Sequence, residues 1–96
     1  MSEAEVCKLS ATEDIVFFTC PGCGEDHGVW VNKPNPANQA RWTWNQSVTK
    51  PTFHPSILVQ VPDRRCHSYV TDGNIRFLPD CFHELKGKTV PLPPWE

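Results

Sequence analysis

The chain has 96 residues, 39 % hydrophobic and 21 % charged, with nine basic and eleven acidic side chains and a formal net charge of −2. That length holds one modest core rather than two, the ordinary apolar content excludes general disorder, and the lack of a basic excess argues against strong nucleic-acid binding, which depends on phosphate neutralisation. Ten prolines are about twice the usual share of roughly 5 %, and a residue that lacks a donor and fixes φ disfavours long helices and wide central strands.

The expected class is therefore mainly β: small antiparallel hairpins, zinc-clamped and zinc-ribbon-like, with a short C-terminal helical turn. Residues 1–13 are polar and read as a flexible leader to a single domain over 14–96. The first residues, Met1 to Lys8, show neither the basic start nor the apolar core of a secretory signal. No apolar run approaches the roughly 18 residues that span a bilayer. The expected location is the cytoplasm, where thiols stay reduced.

In chain order, Asp14–Thr19 is rich in β-branched and aromatic residues and reads as a strand running into a tight turn at Cys20-Pro21-Gly22-Cys23-Gly24. Gly28–Asn32 is the returning strand, Lys33–Ala40 a loop, and Arg41–Gln46 a third strand with Trp42 and Trp44 on one face. The prolines at 51 and 55 make residues 47–55 a rigid arm rather than a ladder. Ser56–Val61 alternates again, with Ile57, Val59 and Val61 facing one way, and Pro62-Asp63-Arg64-Arg65 turns the chain back. Cys66–Val70 and Ile75–Leu78 flank Asp72-Gly73, a type I′ hairpin signal that sets Val70 opposite Ile75 and Cys66 opposite Pro79. Asp80–Lys86 is expected to make one or two helical turns, with Asp80 as N-cap and Gly87 just past the end. Thr89–Glu96 is extended, and Trp95 tucks against the body. Most of the four tryptophans are assigned to the core.

Five cysteines in a reducing compartment point to a metal before disulfides. Cys20 and Cys23, two residues apart across a Pro-Gly turn, form a zinc knuckle. Cys66 and Cys81 meet at the open end of the second hairpin and complete a structural Zn2+ site, with His27 and His83 as alternatives for the fourth position; Cys7 is the spare. A Cys-x-x-Cys redox pair is disfavoured, because nothing after Cys23 reads as the helix that would lower its thiol pKa. Outside the metal, Ser56 begins a strand and His67 lies in the next one. Antiparallel pairing can bring them to one surface, where they read either as a hydroxyl bonding the backbone and an imidazole that ligates or supports the metal, or as nucleophile and base with Asp80 or Asp72 to orient the imidazole.

The pattern Cys20-Pro-Gly-Cys-Gly, Trp42-Thr-Trp-Asn45, Pro51-Thr-Phe-His-Pro-Ser-Ile57, Cys66-His-Ser-Tyr-Val-Thr-Asp-Gly73 and Phe77-Leu-Pro-Asp-Cys-Phe-His83 resembles a family of small phage and prophage proteins, many of which carry an ammonia monooxygenase label. Four scattered histidines give no support to copper oxygenase chemistry. More distantly, the pattern is similar to BubE-type serine peptidases of bacterial ubiquitin-like operons. That resemblance implies Ser56 as nucleophile and His67 as base. Here Cys66 and His67 are adjacent, so a metal-bound Cys66 is expected to constrain His67. Two functions follow. One is a phage-encoded zinc-binding adaptor that docks on a host or phage protein in the host cytoplasm. The other is a serine peptidase (Ser56, His67, Asp80) that cleaves a ubiquitin-like or peptide tail.

Overall fold

The protein, seen in a computed structural model that describes residues 4–61 and 64–95, is built from eight strands in two antiparallel sheets, with no helix among the described residues. The first sheet has the order β1 (Cys7–Leu9), β2 (Ile15–Thr19), β3 (Asp26–Trp30). The second runs β4 (Thr43–Trp44), β5 (Phe53–Val61), β6 (Arg64–Thr71), β7 (Asn74–Phe77), β8 (Thr89–Pro91). No described helix is long and apolar enough to cross a membrane. The Pro62-Asp63 turn, the orientation of Val61 and the first three residues of the leader lie outside what is described.

Alternation along the strands builds the core. Val16 and Phe18 point inward from β2, Val29 from β3, Cys66 and Val70 from β6, and Ile75 and Phe77 from β7, all buried. The two sheets meet where Phe18 stacks on Phe53, ring centroids 6.2 Å apart, and Trp44 also stacks on Phe53 at 6.4 Å. Each fully buried aromatic or branched side chain contributes about 1.5–3 kcal/mol relative to exposure. The tryptophans frame this core without entering it: Trp42 and Trp44 are half-buried against it, and Trp30 and Trp95 are half-buried too. Their indole N–H groups need acceptors, which the rim supplies; Trp44 Nε1 donates to the Ser47 carbonyl at 3.1 Å.

The Asp72-Gly73 hairpin forms as its residues dictate. Asp72 (φ 50°) and Gly73 (φ 80°) both adopt the left-handed conformation, and the register sets Val70 against Ile75. Three expectations are corrected. The polar leader contributes β1, whose Cys7 is buried opposite Phe18. The Arg41–Gln46 strand shrinks to Thr43–Trp44, and the proline arm instead feeds β5 from Phe53 onward. The ladder tolerates this because three β5 residues, 54–56, stand opposite only Tyr69 between the pairs Phe53–Val70 and Ile57–Ser68. Such a bulge removes the demand for a proline N–H and re-aims the side chains within it. Finally, Asp80–Lys86 makes no helix. Isolated turns form there, with the Lys86 N–H donating to the His83 carbonyl (3.2 Å) and the Lys88 N–H to that of Leu85 (2.9 Å), and Gly87 ends them at φ 77°.

Candidate metal centre and serine–histidine site

Two sites lie on opposite faces of β6. On the inner face, Cys20 and Cys23 come from the turn after β2, where the Gly24 N–H donates to the Cys20 carbonyl and the Cys20 N–H to that of Glu25, both at 2.9 Å. Cys66 comes from β6 and His83 from the segment after β7. The donor atoms of Cys20, Cys23, Cys66 and His83 all lie within 4.8 Å of one another. All five cysteines are free thiols. Cys20 Sγ stands 3.8 Å from Cys66 Sγ, and Cys66 Sγ stands 3.6 Å from His83 Nε2.

Those separations carry meaning. A sulfur–sulfur bond is about 2.05 Å, so this is no strained disulfide. A tetrahedral ion with bonds of about 2.3 Å to sulfur and about 2.05 Å to nitrogen has edges of about 3.8 Å between sulfurs and about 3.6 Å from sulfur to nitrogen. The Cys20–Cys66 and Cys66–His83 separations therefore match the edges of one four-coordinate ion, and with all four donors within 4.8 Å these residues can hold a metal. Charge argues the same way. The hydrogen bond from the Cys66 thiol is the main influence pulling Cys20 down to about 3, against its burial. The Cys20 thiolate is in turn the first cause, with burial, of a strongly raised Cys66, while burial lifts Cys23 to about 11. Sulfurs so close cannot all ionise unless a cation neutralises them.

Cys20, Cys23 and Cys66 lie together, and the fourth side chain of the cluster is His83, one of the two alternatives to Cys81. The Cys81 thiol turns to the backbone of His67 instead, accepting from its N–H (3.1 Å) and donating to its carbonyl (3.0 Å). His27 stays outside the donor set; it is buried, edge-on against Phe18. Gly22 has a role that the motif alone does not reveal. Its backbone has no need of a positive φ, but a Cβ there would collide with the His83 ring. The missing side chain is the space His83 occupies.

On the outer face, Ser56 Oγ–H donates to His67 Nε2 at 2.9 Å, and His67 Nδ1–H donates to Asp80 Oδ2 at 3.3 Å. The geometry brings these three together; Asp72, the other candidate carboxylate, lies in the hairpin turn. The bulge in β5 presents Ser56, and the Trp42 indole fixes it by donating to the Ser56 carbonyl at 3.1 Å. Arg65 pairs with the same Asp80 oxygen, Oδ2, at 3.6 Å while its Nε donates to Gln60 Oε1. Ser56 and His67 are half-buried and reachable from solvent. Leu58, directly opposite His67, is 49 % exposed, and Tyr69, two residues further on the same face, is 39 % exposed. The arrangement is a nucleophile, a base and an orienting acid beside an apolar surface.

No curated protein and no solved structure matches the chain. A family model does: that of the bacterial ubiquitination-like system serine protease (BubE), over residues 1–78. The match spans Ser56, His67, Cys20, Cys23 and Cys66, and it stops just before Asp80 and His83. Covering most of the 96 residues, it shows that the chain belongs to the BubE family.

Proposed function

We propose that this chain is a serine hydrolase acting on peptide or isopeptide bonds, with Ser56 as nucleophile, His67 as general base and acid, and Asp80 as the group that orients the imidazole. The observation that carries the reading is the 2.9 Å contact between Ser56 Oγ and His67 Nε2 on a solvent-facing surface. Serine is a poor nucleophile until a base takes its proton. In the forward step Oγ bonds to the substrate carbonyl carbon as its proton passes to Nε2. The C–N bond then breaks, and His67 returns that proton to the leaving amine. Water then bonds to the acyl carbon as His67 takes its proton, and His67 passes that proton to Ser56 Oγ as the ester C–O bond breaks and the acid leaves. The family description supports a ubiquitin-like tail as the substrate.

The cluster of three sulfurs and one nitrogen suits Zn2+, a borderline-soft ion that prefers four such ligands. All four positions come from the protein, so the ion's contribution is to tie the β2–β3 turn to β6 and to the segment after β7. Free buried thiols call for a reducing compartment such as the cytoplasm.

A serine-directed fluorophosphonate tests the reading. Wild type is expected to be labelled on Ser56, with labelling abolished in Ser56→Ala and reduced at least about 100-fold in His67→Ala. A folded, metal-loaded wild type that takes no label at high probe concentration would discard hydrolysis and leave a binding module. Native mass spectrometry before and after acidification counts the ion, with one zinc per chain expected.

A further inference from the structure

Cys81 is buried, it is not among the four clustered donors, and the hydrolytic scheme above gives it no part. We infer that Cys81 is a positioning residue for His67: its thiol, on the strap formed by residues 78–83, holds the backbone of the residue that carries the base. This rests on the hydrolase reading.

β7 ends at Phe77, so the first half of β6 has no strand beside it on that edge. The strap takes the strand's place. The Leu78 N–H donates to the His67 carbonyl at 2.9 Å, and the Phe82 N–H donates to the Arg65 carbonyl at 2.9 Å. Between these two bonds the chain bulges away from a regular ladder, its Cys81 N–H donating back to the Leu78 carbonyl at 3.1 Å. That leaves the backbone N–H of His67 without a carbonyl partner, and the Cys81 sulfur fills the place at 3.1 Å while giving its own proton to the His67 carbonyl at 3.0 Å. One thiol thus closes a ring on both polar groups of the residue that carries the base.

The strap reaches three successive residues of β6. Asp80 contacts Arg65 and the His67 ring, Cys81 holds the His67 backbone, and His83 meets Cys66. Cys66 and His83 would together hold a cation, which would add one further tie between the end of the strap and β6. Serine at position 81 can donate and accept as the thiol does. Alanine can do neither.

The experiment compares metal-loaded wild type, Cys81→Ser and Cys81→Ala. Native mass spectrometry counts zinc, fluorophosphonate kinetics separate kinact from KI, and amide hydrogen exchange reads His67. One zinc per chain is expected in all three. In Cys81→Ala, kinact should fall at least about tenfold with KI within about twofold, because a base displaced by a fraction of an ångström loses rate rather than affinity. Cys81→Ser should recover most of that loss. His67 amide exchange should quicken at least about tenfold in Cys81→Ala, as expected when an amide loses its only partner. Loss of zinc in either variant would make Cys81 a ligand and overturn the inference, and so would wild-type kinact together with unchanged exchange in Cys81→Ala. If Cys81→Ala does not fold, the zinc count and kinact of Cys81→Ser decide. If wild type takes no label, the hydrolase reading fails on its own, and exchange at His67 together with the zinc count still tests what Cys81 does.

Discussion

Gly22→Ala is expected to damage the metal centre by displacing His83. The new Cβ would stand 2.5 Å from His83 Nδ1, and nearer still to Cε1 and Nε2. Ordinary carbon contacts are about 3.5–4.0 Å, so the ring must retreat by at least about 1 Å, whereas metal–ligand distances tolerate only about ±0.2 Å. Retreat is obstructed, because the imidazole is held edge-on against Phe77 (4.4 Å between centroids) and against Phe82 (5.2 Å). The backbone supplies no competing effect, as Gly22 is absent from the positive-φ positions. Removing a group that only supports a ligand costs about 10–100-fold in affinity, and displacing the ligand itself should cost at least that, about 1.4 kcal/mol for each factor of ten. Competition with a chromophoric zinc chelator measures the change, and thermal melting with and without zinc shows the lost stabilisation. A Gly22→Ala protein that binds zinc as tightly as wild type, beside a Cys20→Ser protein that does not, would remove His83 from the donor set.

Three further predictions concern separate parts of the molecule. Asp80→Asn keeps the size of the side chain but replaces the charge that favours the Nδ1–H tautomer of His67; fluorophosphonate labelling should slow by about 10²-fold, with the zinc count unchanged. Trp42→Phe removes the indole donor to the Ser56 carbonyl and should cost about 0.5–1.5 kcal/mol in urea unfolding as well as slowing the label. Cys7 is raised by burial, and secondarily by Glu5, from 9.0 to about 11. Its folded-state pKa is the higher one, so its contribution is fully present below pH 9 and is lost as pH rises toward 11. Wild type should lose about 3 kcal/mol more than Cys7→Ala over that window, read from urea midpoints at each pH.

What was legible in the sequence is what local chemistry determines. Asp72-Gly73 forms its hairpin because two positive-φ residues demand it, and register then follows from the pleat. The Cys20–Cys23 knuckle and the Ser56–His67 pairing were legible for the same reason, since each needs only a turn or one hairpin. The fourth metal donor was not. Extrapolating the β6–β7 ladder puts Cys81 at the hairpin's open end, but β7 stops at Phe77 and the strap bends, so the side chain that enters the cluster is two residues further on. Nor could composition show β1, a three-residue edge whose only strongly apolar signals are Cys7 and Leu9. The sequence places the start of β5 only at Ser56 because proline normally ends a ladder, whereas the bulge that admits Pro55 depends on pairing with a strand that comes later in the chain.

The adjacency of Cys66 and His67 looks at first like a conflict, a metal ligand crowding a general base. The pleat removes it. Successive residues of a strand point to opposite faces, so Cys66 enters the buried side with Ser68 and Val70, while His67 faces out with Arg65 and Tyr69. The two sites therefore share a backbone without sharing space or solvent. A cation on the inner face needs dry, converging sulfurs; a nucleophile needs an open surface and a base that a substrate can reach. One strand meets both demands only if ligand and base differ by an odd number of positions, and a spacing of one gives the tightest mechanical link between them. Inserting a single residue between Cys66 and His67 should therefore turn one of the two inside out, abolishing zinc binding or labelling outright, whereas a substitution of either side chain alone affects chiefly its own face.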